Sequence, residues 1–276
     1  MFTSKSKGTP LAHQVKVGVL VSGGGSNLQA ILDACVAGRI DARVVFAGAD
    51  NPAAGGLERA RKQRVSTFVV DYTAIHAQYR QDRRRFTLPT DCDWEYLLRR
   101  QRLRPIDDSP EQLASFFVPR LAAEDRLLNR IAQYRIDLLV LGGFMRTLTP
   151  YFIDKFNPNP KEPRIMNIHP SLLPAFPGVD GYGETFRYGC RVGGCTVHFV
   201  DYGEDTGPII GQRTFTIEPG DTLDAVRRRG LALEWELYPE CIQLFAEKRL
   251  RVVEKRYPQH HGRMLSRRVV EISRAD

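Results

Sequence analysis

The sequence predicts an α/β protein: a Rossmann-like open, mostly parallel sheet flanked by helices. A strand-length β-rich run, Val15–Val21, breaks off into Ser22-Gly23-Gly24-Gly25-Ser26-Asn27 and is followed at once by a helical stripe. Strand-like and helix-like segments then alternate along the chain, the pattern of a parallel sheet with crossover helices. A later strand, 164–170, runs into a Pro/Gly-rich loop at 170–183, and irregular backbone at a strand's carboxyl end is where open α/β sheets bind ligands.

In order, Leu28, Ile31, Leu32 and Cys35 recur at i, i+3, i+4 and i+7, and Gly38 closes the helix they define. Further strands are predicted at 43–47, 65–71 and 136–141, with helices at 56–64 and 121–134. A short helix at 150–156 precedes the 164–170 strand. Two more strands, 195–200 and 208–217, lead to a long helix from Asp221, a good N-cap residue, to Lys248. Residues 250–253 read as an added edge strand. The segment 75–118 is Arg-rich and contains Pro89, Pro105 and Pro110, which predicts a partly helical insertion in the scaffold. The whole of 1–276 is therefore expected to form a single domain, with an N-terminal extension at 1–14 and a tail at 250–276.

Composition sets bounds on function. With 276 residues, 42% hydrophobic and 26% charged, the chain can bury a core and is neither disordered nor coiled coil. No apolar run approaches the ~20 residues of a membrane span, and the N-terminus has no apolar secretory region. Five cysteines, an odd and small number, suit a reducing compartment, so the expected address is the cytoplasm. Cys190 and Cys195 form a lone C-x4-C pair, and no structural metal is expected. The net charge of +8 is concentrated: eight arginines face four acids within 80–104, and a second basic cluster follows Lys248. Solvated helix faces account for both, since neither carries the stacking platform of an RNA-binding module; no nucleic-acid partner is expected.

Three segments could carry chemistry. The Gly25-Ser26-Asn27 loop presents unpaired N–H groups and a positive helix end, a natural place for phosphate. It lacks a third fingerprint glycine and a P-loop lysine, so on its own it reads equally as a mononucleotide-like phosphate site or a tight turn. Asn167 and His169, two apart on a strand, point to the same side and would offer one pocket an amide donor and a titratable imidazole. Asp205, in an acidic loop between two strands, could orient His169 and raise its pKa, or be an ordinary turn residue. His198, inside a strand, reads as a satisfied structural histidine.

Taken in order, these segments resemble the phosphoribosylglycinamide formyltransferase family, the folate-dependent enzymes of purine synthesis. The resemblance runs through the 22–31 loop and helix, Gly56-Leu-Glu-Arg-Ala60, Gly143-Phe-Met-Arg146, Asn167-Ile-His-Pro-Ser-Leu-Leu-Pro174, Thr196-Val-His-Phe-Val200, Asp205-Thr-Gly-Pro-Ile-Ile210, and Glu234 before Tyr238-Pro239. It implies 10-formyltetrahydrofolate as cosubstrate, the 5′-phosphate of glycinamide ribonucleotide on Gly25, Ser26 and Asn27, and a catalytic trio of Asn167, His169 and Asp205. It further implies a folate pocket from Met145, Arg146, Thr147, Leu148, Asn167 and the loop Asp201, Tyr202, Gly203, Glu204 and Asp205, with Glu234 on the glycinamide portion. Small-molecule substrates, no membrane partner, and a monomer or homodimer are expected. The loop from Gly178 reads Gly-Val-Asp-Gly-Tyr-Gly-Glu-Thr-Phe-Arg where bacterial members often carry His-x-His-Arg. Two related enzymes and one non-enzyme are the rivals. Formyltetrahydrofolate deformylase usually carries an N-terminal regulatory domain, methionyl-tRNA formyltransferase a C-terminal barrel, and an RNA-binding or assembly protein would use the Arg-rich insertion.

Overall fold

The computed structural model of the chain describes residues 14–105, 107–259 and 263–274, so residues 1–13 of the N-terminal extension lie outside the described residues. Seven strands form one sheet: β1 (Val15–Val21), β2 (Ala42–Ala49), β3 (Ser66–Val69), β4 (Leu138–Leu141), β5 (Ile165–His169), β6 (Val192–Phe199) and β7 (Ile209–Thr216). Their spatial order is β3-β2-β1-β4-β5-β6-β7; β1 to β5 pair parallel, while β6 and β7 join antiparallel.

Alternation along the central strands builds the core on both faces of this sheet. Val15, Val17, Val19 and Val21 of β1 and Leu138 and Val140 of β4 pack with helices α1 (Ser26–Val36), α2 (Gly56–Lys62) and α8 (Leu223–Ala246). Leu20, Leu139 and Leu141 point the other way, toward α3 (Tyr72–Gln81), α5 (Pro110–Ala132) and α6 (Pro150–Phe156). Two short helices complete the fold, α4 (Trp94–Arg100) and α7 (Gly181–Arg187). Among the described residues, no helix is long and apolar enough to cross a membrane.

Four expectations are corrected here. The helix expected at 121–134 starts at Pro110, because proline at the first helical position is compatible with a helix start and Ser109 and Gln112 cap each other reciprocally. The Arg-rich segment thereby becomes largely helical, and Leu97, Phe117, Leu121 and Tyr151 close a small core of its own beside α6. The long helix α8 is capped by Thr222, whose hydroxyl accepts from Ala225 N at 3.2 Å; Asp221 instead receives Glu218 N and pairs with Arg229. The 170–183 loop gives way at Gly181 to α7, a helix that buries Tyr182 and Thr185. The edge strand expected at 250–253 is β8 (Leu250–Pro258), which pairs antiparallel with β9 (Met264–Ile272) in a separate two-stranded sheet.

Strand order reverses between β1 and β4, so the loops leaving their carboxyl ends diverge and open a crevice. Hydrogen bonds fasten the two loops together across it. Ser22 N donates to Gly143 O at 2.9 Å and Met145 N donates to Ser22 Oγ at 2.8 Å, while Asn51 Nδ2, from the loop after β2, donates to Ser22 O at 2.9 Å.

Candidate active site

The crevice holds a cavity of about 430 Å³, lined by residues 23–27, 141–148 and 167–170, by parts of the 178–182 and 201–205 loops, and by His198, Arg227 and Glu234. One wall is the glycine loop. Gly25 sits at φ +71°, and a Cβ there would lie 2.5 Å from Gly56 Cα, so only glycine lets α1 begin this close to α2. No side chain caps the start of α1, which leaves its first N–H groups facing the cavity. Arg59 adds a cation beside them, its Nε donating to Gly24 O at 2.7 Å. Ser26 lies on this wall as expected, but the Asn27 side chain turns to Glu234, leaving the loop only its backbone N–H.

Asn167 and His169 lie on the same face of β5, and antiparallel pairing puts His198 of β6 directly opposite Asn167. Asp205, at φ +53°, brings its carboxylate between them. Its Oδ2 meets His169 Nδ1 at 3.0 Å and accepts from Gly178 N at 2.9 Å. Its Oδ1 accepts from Asn167 Nδ2 at 3.3 Å and lies 3.5 Å from His198 Nε2. His169 Nε2 faces the Phe176 carbonyl at 2.7 Å, so both ring nitrogens of this buried histidine meet acceptors, which favours imidazolium. Burial lowers its pKa, but the hydrogen bond and charge of Asp205, the Phe176 carbonyl and Glu234 together raise it above its ordinary value. Burial likewise pushes Asp205 up, and the contacts with His169, His198 and Gly178 N outweigh it, holding the carboxyl well below the usual range.

His198 is more than the satisfied strand histidine expected. Its Nδ1 meets Phe199 O at 2.9 Å, and its Nε2 lies 3.3 Å from Asn167 Nδ2 and 3.5 Å from Asp205 Oδ1. The Asn167 amide is thus shared between two long contacts.

The residues expected to form a folate wall mostly converge. Met145, Arg146, Thr147 and Leu148 line the cavity, as do Asp201, Gly203, Glu204 and Asp205. Arg146 is held by buried Asp50, Nε to Oδ2 at 2.6 Å. Tyr202 departs from expectation: its hydroxyl donates to Asp154 Oδ1 at 2.5 Å and Arg100 lies over its ring at 4.8 Å, so its side chain turns away from the cavity. The carboxylate and guanidinium on that side draw it outward.

Glu234, buried on α8, accepts from Asn27 Nδ2 at 2.7 Å and from Tyr182 Oη at 2.7 Å. Burial raises its pKa despite these two donors.

A second cavity of about 680 Å³ adjoins the first through Arg146 and is strongly cationic, with Arg80, Arg104 and Arg120 on its walls. His76 sits among them, and burial together with the charges of Arg120, Arg146 and Arg80 lowers its pKa to about 4. Tyr72 Oη, buried beside this cavity, has no hydrogen-bond partner. Sequence reading missed Arg120, Asp50, Arg59 and Tyr182. The arginine run at 80–104 is the one available signal, and it reaches Arg80 and Arg104 only; Arg120 lies beyond it on α5, which packs against α3. Among the described residues, no group of three or more His, Cys, Asp or Glu could hold a metal ion.

The formyl transferase family model covers residues 15–242. The chain belongs to the formyl transferase family. Phosphoribosylglycinamide formyltransferase of Escherichia coli (strain K12) is 33% identical to this formyl transferase over 236 residues, 86% of this chain and 89% of that protein. Glycinamide ribonucleotide transformylase 1 from Symbiobacterium toebii superposes with a TM-score of 0.67 at 37% identity, covering 94% of each chain. A formyltetrahydrofolate deformylase from Pseudomonas syringae shares the formyl transferase fold, with a TM-score of 0.64 at 17% identity over 95% of this chain and 67% of that one.

Proposed function

We propose that this formyl transferase moves the formyl group of 10-formyltetrahydrofolate onto the amine of phosphoribosylglycinamide, a step of purine biosynthesis. The carrying observation is that Asn167, His169 and Asp205 share one cavity with an open helix N-terminus and a buried carboxylate, Glu234. That combination suits acyl transfer to a phosphorylated amine. The reading assigns Gly25, Ser26 and the Asn27 backbone to the 5′-phosphate, Glu234 to the glycinamide amine, and Met145, Arg146, Thr147, Leu148, Asp201, Gly203, Glu204 and Asp205 to the folate. It places the protein in the cytoplasm, with these small molecules as its partners and a monomer or homodimer as its state.

In the mechanism, Glu234 receives the amine N–H groups and aims the nitrogen at the formyl carbon. As the new C–N bond forms, Asn167 Nδ2 leaves its two long contacts for the developing oxyanion. His169 Nε2–H turns to the same oxygen once that oxygen competes with the Phe176 carbonyl, and Asp205 keeps the ring protonated and oriented throughout. Collapse breaks the bond to N10, and the proton lost by the amine is matched by one delivered to N10 through His169 or water. The enzyme ends unchanged, and no covalent intermediate on the protein is required.

The glutamate end of folate is anionic, and the cationic cavity beyond Arg146 complements it. Arg120→Ala is expected to raise KM for the folate cosubstrate roughly tenfold at low salt and less at high salt, with kcat unchanged. Steady-state kinetics at two ionic strengths check this, and an unchanged KM would remove Arg120 from the folate site.

The functional reading is tested by following absorbance with 10-formyltetrahydrofolate, or its 10-formyl-dideazafolate analogue, with and without glycinamide ribonucleotide, on wild type and His169→Ala. Turnover that needs the ribonucleotide and collapses in the variant supports transfer. Folate consumption without the ribonucleotide would move the protein to the deformylase reaction, and no turnover in wild type would sink the reading.

A further inference from the structure

Glu234 is 4% exposed, and each of its carboxylate oxygens takes one hydrogen bond, Oε2 from Asn27 Nδ2 and Oε1 from Tyr182 Oη, both at 2.7 Å. A carboxylate only accepts, so it fixes which way the Asn27 amide points. That leaves Asn27 Oδ1 buried with no partner of its own. A buried acceptor without a donor is rare in folded proteins, and here it belongs to a residue that lines the cavity beside a carboxylate with lone pairs to spare.

The Tyr182 hydroxyl reaches Glu234 by a route that the sequence of α8 makes possible. Its ring, 5% exposed, crosses α8 at Gly230, one turn before Glu234. A Cβ at position 230 would lie 2.1 Å from the ring Cζ and 2.5 Å from the hydroxyl oxygen. Any side chain there displaces the ring. Gly230 and Tyr182 therefore act as one structural unit, brought together from α8 and from the first turn of α7.

We propose that Tyr182 is a positioning residue for the amine substrate: its hydroxyl locks the Glu234 carboxylate so that this carboxylate and Asn27 Oδ1 together form the cradle for the substrate's N–H groups, and Gly230 is the position that admits it. The proposal rests on the reading of this cavity as a formyl transfer site, and it goes further by naming what orients the amine. Tyr182 touches no reacting atom in this scheme. It acts through Glu234.

The test is Tyr182→Phe, which keeps the ring and removes only the donor, with Gly230→Ala as a second variant that displaces the ring from outside the cavity. Both are assayed for formyl transfer with glycinamide ribonucleotide and 10-formyl-dideazafolate as the varied substrates, and their thermal unfolding is compared with wild type. Tyr182→Phe is expected to raise KM for the ribonucleotide roughly 10–100-fold, the range for a lost hydrogen bond to a charged group. KM for the formyl donor should stay within about twofold. The acid limb of kcat/KM for the ribonucleotide should move to higher pH, because a carboxylate that loses a donor is more easily protonated. Gly230→Ala should reproduce the split between the two KM values. Ribonucleotide KM and acid limb both unchanged in Tyr182→Phe would overturn the proposal, as would an equal rise in both KM values. Wild type that transfers no formyl group to the ribonucleotide would overturn the functional reading and this proposal with it, whereas active wild type beside an unaffected Tyr182→Phe overturns only the proposal.

Discussion

Asn167→Ala is expected to lower kcat roughly 10²–10³-fold while KM for each substrate stays within a few-fold, the signature of a lost oxyanion donor. The geometry supports so selective an effect. Asn167 Nδ2 is held only by 3.3 Å contacts to Asp205 Oδ1 and His198 Nε2, so its hydrogens move to a stronger acceptor at little cost, and one appears only as the tetrahedral intermediate forms. The substitution leaves the β5–β6 ladder and the His169–Asp205 pair intact, so the fold should persist. Single-turnover rates with saturating substrates measure the effect directly. A variant that turns over at near wild-type rate would show that the oxyanion is stabilised elsewhere.

Asp205→Asn is expected to lower kcat further, by roughly 10²–10⁴-fold at neutral pH, and to change the pH dependence in a defined direction. In wild type, Asp205 raises the His169 pKa against the effect of burial, so the protonated ring persists above its ordinary 6.5. With an amide in place of the carboxylate, burial dominates and that pKa falls. Activity that needs imidazolium should then be lost at lower pH in the variant: the alkaline limb of kcat moves down. Stability follows the same pair. The raised His169 pKa gives stability that is full below 6.5 and is lost as pH rises through the folded value. The depressed Asp205 pKa gives stability present above its ordinary 3.8 and lost as pH falls through the folded value. Wild type should therefore exceed Asp205→Asn most between about pH 4 and 6.5. Denaturant titrations across that window check the sign, and an advantage that grew above pH 8 would contradict the ion pair.

Much of this site is legible in the sequence. Alternation on a strand is enough to aim Asn167 and His169 to one side, and a glycine loop between strand and helix is enough to suggest an anion site. What periodicity could not supply was distance. Asp205 is far along the chain from His169, and only the antiparallel placement of β6, with the turn at 201–207 that follows it, brings the carboxylate to 3.0 Å. The same pairing turned His198 from an apparent strand histidine into a partner of Asn167. Tyr202 shows the opposite case: it lies in the expected loop, yet Asp154 and Arg100 offered its hydroxyl and ring better contacts outside the cavity. The prolines of the Arg-rich segment misled because Pro110 starts a helix as readily as other prolines end one.

The α/β class, the order of most elements and the candidate residues Asn167 and His169 are legible in the chain, because strand alternation, helical periodicity and turn residues are local properties. Tertiary structure alone decided which charges meet. The Asp50–Arg146 pair, the convergence of Arg80, Arg104 and Arg120 on one cavity, and the passage of Tyr182 over Gly230 to Glu234 all join segments distant in sequence. Such contacts depend on how the helices lie on the sheet, and no window of the sequence contains both partners.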